Sequence, residues 1–131
     1  MVLRAGKDAP NGGRPGYTEA ALPGHLSGDA DASSSPYPVG PVTPGGRLYQ
    51  LFDTYPNLWA DLSAGSGRQA LARDPAHALQ FINRYADRLL FGRDYYGTDL
   101  HQFLQTLPLS AAVVEKIYWQ NAERLVAPPK A

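Results

Sequence analysis

The stretch that most constrains this chain is Arg88-Leu89-Leu90-Phe91-Gly92-Arg93-Asp94-Tyr95-Tyr96. A short apolar run ends in a glycine, an arginine and then a carboxylate. Segments of helical period flank it, over residues 76–86 before and 100–107 after. A buried strand between two helices has this pattern. The carboxylate then falls at the strand's C-terminal tip, where α/β folds place their chemistry. Asp94 is the leading candidate for a working residue.

Further segments extend the series on both sides. Leu48, Leu51, Phe52 and Tyr55 recur at i, i+3, i+4 and i+7, one apolar helix face, and Pro56 ends that helix by pushing Tyr55 out of the helical region. Leu58-Trp59-Ala60-Asp61-Leu62-Ser63 reads as a short strand. Asp61 there has two readings: a side chain at a strand end or solvated face, or a polar group at a barrel mouth, bonded to backbone or helping to hold a substrate. Ala64-Gly65-Ser66-Gly67 reads as a loop without GxGxxG or Walker spacing, so a nucleotide site is unsupported. Asp74-Pro75 starts a helix as N-cap and N1, with Ala78, Phe81, Ile82 and Tyr85 on one stripe and His77 at the surface.

After the central strand, Leu100, Phe103, Leu104 and Leu107 form a helix that carries His101 and stops at Pro108. Ser110 caps a last helix, with Leu109 placed to staple onto Val114. Val113, Ile117, Tyr118, Asn121 and Leu125 follow its inner face, and Asn121 is expected to bond to neighbouring backbone. Strands alternating with helices in this order imply a parallel sheet and an α/β class.

The first third of the chain differs. Residues 1–46 hold nine of the 13 glycines and seven of the 12 prolines, and no Phe or Trp. Residues 1–23 are expected to be disordered, apart from a brief helical turn from Tyr17. The Pro-rich tract after Ser35 reads either as a stiff linker or as an ordered loop. His25, Asp29 and Asp31 offer N and O ligands, but such spacing in a loop is weak support for a metal site.

Charge excludes several classes. Twelve basic residues balance twelve acidic ones, and residues 47–126 carry eight of each, so no basic stripe points to nucleic acid. The absence of Cys removes thiolate catalysis, iron–sulfur ligation and cysteinyl zinc. No long apolar run suggests a membrane span or a signal peptide, and a cytoplasmic location is expected.

Three motifs carry a resemblance: Tyr55-Pro56-Asn57-Leu58-Trp59-Ala60-Asp61-Leu62-Ser63-Ala64, then Asp87-Arg88-Leu89-Leu90-Phe91-Gly92-Arg93-Asp94, then Ile117-Tyr118-Trp119-Gln120-Asn121-Ala122-Glu123-Arg124-Leu125. Together they resemble strand seven, strand eight and the closing helix of a metal-dependent amidohydrolase-related enzyme. The branch is that of the 2-pyrone-dicarboxylate lactonase-like hydrolases and the carboxymuconate-semialdehyde-type and resorcylate-type decarboxylases. His25-Leu26-Ser27-Gly28-Asp29 and Tyr37-Pro38-Val39-Gly40-Pro41-Val42 resemble the loop after strand six, which favours an ordered loop over a linker. The resemblance covers residues 24–126 and leaves 127–131 as a frayed tail.

That likeness implies an incomplete (β/α)8 TIM barrel, with the last strands and closing helices only, about a quarter to a third of such a domain. Complete members hydrolyse or decarboxylate small, often carboxylated or cyclic, organic substrates with a bound divalent metal, zinc or manganese. By similarity Asp94 contacts that metal and serves as general base or acid, while Arg93, Asp61, Ser63 and Ser66 take substrate-positioning roles. The family's metal-binding histidines are missing, since the chain has only His25, His77 and His101 and no His-x-His. Asp94 would therefore be a ligand only alongside others, and no cofactor is expected for this chain alone. Two alternatives follow: an inactive truncated product or fragment needing the missing barrel half, and a small interaction module that self-associates through exposed barrel edges.

Overall fold

The computed structural model describes residues 2–5, 17–18, 26–29, 38–93 and 95–127. Its centre is a parallel pair of strands, β3 (Leu58–Asp61) and β4 (Leu89–Leu90), with Ala60 opposite Leu89 and Asp61 opposite Leu90. The α/β class and the incomplete (β/α)8 arrangement are what the structure shows. Helix α1 (Arg47–Thr54) precedes β3, and α2 (Ala64–Ala72) and α3 (Pro75–Tyr85) carry the chain across to β4. Parallel neighbours need a crossover of this kind, because a tight turn only joins antiparallel strands.

Local chemistry explains most element limits. Asp74 caps α3 by accepting from the backbone N–H of His77 at 3.0 Å, and Pro75 occupies the first helical position, where no donor is needed. The expected stripe of Ala78, Phe81, Ile82 and Tyr85 is buried, meeting Leu48 and Phe52 of α1. Phe52 and Tyr85 pack with ring centroids 4.7 Å apart, and Phe81 lies 5.2 Å from Tyr85. Arg88 closes the end of α1, donating to the carbonyls of Phe52 at 2.8 Å and Tyr55 at 3.0 Å, so a cation meets the negative helix terminus.

Helix α4 (Asp99–Thr106) buries Leu100 and Leu104 and stops before Pro108. Helix α5 (Ala111–Glu115) continues through a π-helical turn (Lys116–Gln120) into α6 (Asn121–Val126). Ser110 caps α5 through the N–H of Val113 at 3.3 Å. The staple expected between Leu109 and Val114 is not formed as drawn: Leu109 and Val113 pack against the core, while Val114 is exposed.

Three expectations are corrected. Ala64-Gly65-Ser66-Gly67, read as a loop, is the first turn of α2. Its glycines lowered the apparent helix propensity, yet a Cβ on Gly67 would lie 2.0 Å from the Leu62 carbonyl oxygen, so close packing is what requires glycine there. Within residues 1–23, expected to be disordered, β1 (Val2–Ala5) and β2 (Tyr17–Thr18) join the sheet in the order β2-β1-β3-β4, with β1 antiparallel to both β2 and β3. Tyr17 is thus extended and not helical. A ladder between residues more than fifty positions apart leaves no trace in local composition.

The third correction concerns the sheet edges, which were expected to be open. The outer edge of β3 is paired with β1, from Val2 opposite Asp61 to Ala5 opposite Leu58. The outer edge of β4 is met by the C-terminal helix, where Asn121 Nδ2 donates to the Leu89 carbonyl at 2.8 Å and the Phe91 N–H donates to the Ile117 carbonyl at 2.9 Å. The π-turn makes the second bond possible. Asn121 N–H donates to Lys116 instead of Ile117, which releases the Ile117 carbonyl toward the strand.

The Pro-rich tract packs as an ordered loop over residues 38–46. Arg73 Nε donates to the Gly40 carbonyl at 2.8 Å, and Asp74 Oδ2 accepts from the Val42 N–H at 3.0 Å. Leu26 and Ser27 are buried beneath it, and Ser27 Oγ accepts from the Thr43 N–H at 2.8 Å.

Candidate functional site

Parallel strands end together, so the C-terminal tips of β3 and β4 bring their following residues to one face. Asp61 closes β3 half-buried, and its Oδ1 accepts from the Ser63 N–H at 2.9 Å. That bond turns the chain from the strand into α2, with Ser63 in the N-cap position. Gly92 sits across from them: a Cβ there would approach Ser63 Cβ at 3.1 Å and Asp61 Oδ1 at 3.3 Å. The tips of β3 and β4 are therefore in contact, two residues before Asp94. Asp94 itself lies outside the described residues, as do His25 and Asp31.

Arg93, given a substrate-positioning role by the resemblance, is exposed and donates to the loop that follows, to Gly97 O at 3.3 Å and to Tyr96 O. Tyr95 Oη donates to Asp99 at 3.0 Å, closing the same loop onto the start of α4. A small, shallow cleft opens here between α2, the end of β4 and α4, lined by Phe91, Gly92, Arg68, Arg93, Thr98 and His101 among others. Ser66, in the first turn of α2, is half-buried but does not line it.

Arg68 was not singled out in the sequence. Reading Ser63 as a helix cap would have placed Arg68 on the second turn of α2, so the lost signal was α2 itself. The other side of the cleft is stiff. Phe91 stacks on Tyr118 at 4.3 Å between centroids and 10° between planes, and Tyr118 Oη bonds to His101 Nδ1 at 2.7 Å. Burial pushes the Tyr118 phenol above its ordinary value, so it stays protonated.

One histidine is engaged elsewhere. His77 is half-buried, not at the surface as expected, and its Nε2 meets Tyr49 Oη at 2.8 Å on the far side of α3. Burial lowers its pKa, outweighing the opposing pull of Asp74. Among the described residues, no group of three or more His, Asp or Glu side chains converges closely enough to hold a metal ion. The described donors do not fit the divalent centre that the fold family implies. No helix among the described residues is long and apolar enough to cross a membrane.

The closing helix holds this face in place. Asn121, 1% exposed, donates from Nδ2 to Ala86 O at 2.7 Å and to Leu89 O, clamping both ends of the turn into β4. Arg124 reaches the Asp87 carbonyl and lies 5.0 Å from the Trp59 ring, and Lys116 pairs with Asp87 at 2.8 Å. The Asn-Ala-x-Arg-Leu ending is thus a set of contacts to both strands.

Two adjacent parallel strands, their crossover helices and a closing helix clamped to the second strand define an α/β unit of barrel type. Residues 47–127 match the amidohydrolase family, more than half of the chain, and the chain belongs to that family. Neither the curated proteins nor the solved structures gave a match.

Proposed function

We propose that this chain carries the strand-seven and strand-eight side of an amidohydrolase-type site that hydrolyses or decarboxylates a small organic substrate. In this reading Asp94 moves the proton, a role suited to a carboxylate at a strand tip. Asp61, Ser63 and Ser66 shape the adjoining mouth, and Arg93 orders the 95–97 loop beside the substrate. The observation that supports it is the contact of Asp61 and Ser63 with Gly92, which lays the two strand tips side by side just ahead of Asp94. The described residues supply no metal-holding set, so the isolated chain is expected to be silent in metal-dependent turnover. The test is a panel of small lactones and aromatic carboxylates assayed with zinc and with manganese. No turnover above buffer is expected; metal-dependent turnover lost in Asp94→Ala would contradict the silent state and support Asp94 as the working residue.

A further inference from the structure

We propose that the cleft between α2 and α4 takes the carboxylate head group of a small organic substrate, with Arg68 and His101 as the residues that hold it. The inference rests on reading this face as a substrate site and adds which side chains select the substrate. Neither residue is among those the family resemblance assigns.

Arg68 is exposed on the second turn of α2 and lines the cleft. Arg73, Arg84, Arg88, Arg93 and Arg124 each donate to a carbonyl or a carboxylate. Arg68 has no such partner among the described residues, so its planar fork of donors is open to a ligand. His101 enters from α4. Its Nδ1 meets Tyr118 Oη at 2.7 Å, which fixes the ring and leaves Nε2 without a partner among the described residues. With the Tyr118 hydroxyl donating to Nδ1, the ring hydrogen sits on Nε2 and supplies a second donor.

The surrounding charge favours an anion. Two arginines and one carboxylate, that of Asp99, line the cleft, and Tyr95 Oη donates to the carboxylate. Arg93 has its donors committed to the Tyr96 and Gly97 carbonyls, which leaves recognition to Arg68. Phe91 and Leu100 add an apolar wall. Small and shallow, the cleft suits a head group and not a whole enclosed ligand.

The test is an NMR titration of the metal-free chain with benzoate, and with benzamide as its uncharged analogue, following backbone amide and histidine ring signals. Benzoate should shift the Gly92, Thr98 and His101 signals saturably, and benzamide should not. Arg68→Gln should weaken benzoate binding about tenfold and His101→Phe about threefold, with amide spectra that report an intact fold. Arg47→Gln removes the same charge from an exposed arginine outside the cleft and should change nothing. The absence of a saturable benzoate shift, or equal shifts with benzamide, would overturn the proposal. So would unchanged affinity in folded Arg68→Gln, an equal loss in Arg47→Gln, or inorganic phosphate bound as tightly as benzoate. No turnover is measured, and binding kept in Asp94→Ala would support the head-group site whether or not Asp94 moves a proton.

Discussion

The side-chain amide of Asn121 donates to the carbonyl of Leu89 at 2.8 Å, joining the C-terminal helix to the strand that leads to Asp94. The same nitrogen also donates to Ala86 O at 2.7 Å. Asn121→Ala would take this side-chain donor from two buried carbonyls, at a cost of about 2–3 kcal/mol. For a domain of this size the melting temperature should fall by roughly 10–20 °C. Thermal denaturation followed by circular dichroism measures this, and a change under about 3 °C would show that the clamp contributes little.

Two glycines a single residue apart should respond with opposite signs. A Cβ on Gly65 meets nothing within 4 Å, so Gly65→Ala should stabilise the first turn of α2 by up to about 1 kcal/mol. On Gly67 the added carbon lies against the Leu62 carbonyl, and Gly67→Ala should cost about 1–3 kcal/mol by forcing α2 away from β3. Urea denaturation of the two variants checks the sign of each.

Stability should fall in two stages as pH is lowered. Burial holds His77 below its ordinary pKa, so the unfolded chain takes up a proton first, and stability declines as pH falls from about 6.5 toward the lower folded value. The Asp74 carboxylate is held low by hydrogen bonds from the His77 and Val42 N–H groups, and Asp87 by its hydrogen bond from Lys116. Their contribution is present above about pH 4 and is lost as pH falls through their depressed values. Urea midpoints across this range should show both declines, and His77→Gln should remove the upper one. A midpoint that holds steady or rises between pH 7 and pH 5 would contradict the assignment.

Much of the central architecture was legible because it is local. The Asp74-Pro75 start and the Ala78, Phe81, Ile82, Tyr85 stripe fixed α3, and the apolar run around Leu89 placed β4. Asn121 was readable as a backbone-bonding residue on an apolar face, though not which carbonyls it would find. The rest depends on contacts between distant residues. Gly67 looked like a turn signal and instead fits a close helix–strand approach. The pairing of Val2 with Asp61 and the release of the Ile117 carbonyl by a π-turn have no periodic signature. At the site, Asp61 and Ser63 were found through their motif, while Arg68 was hidden with the helix that carries it.

The central claim is that the tips of β3 and β4 lie side by side just ahead of Asp94 while the described residues hold no metal-binding set. Equilibrium dialysis of the purified chain against zinc and manganese, with bound metal counted by elemental analysis, tests it most directly. The expected result is metal well below one ion per chain, unchanged in Asp94→Ala. One tightly held ion per chain, lost in Asp94→Ala, would contradict it.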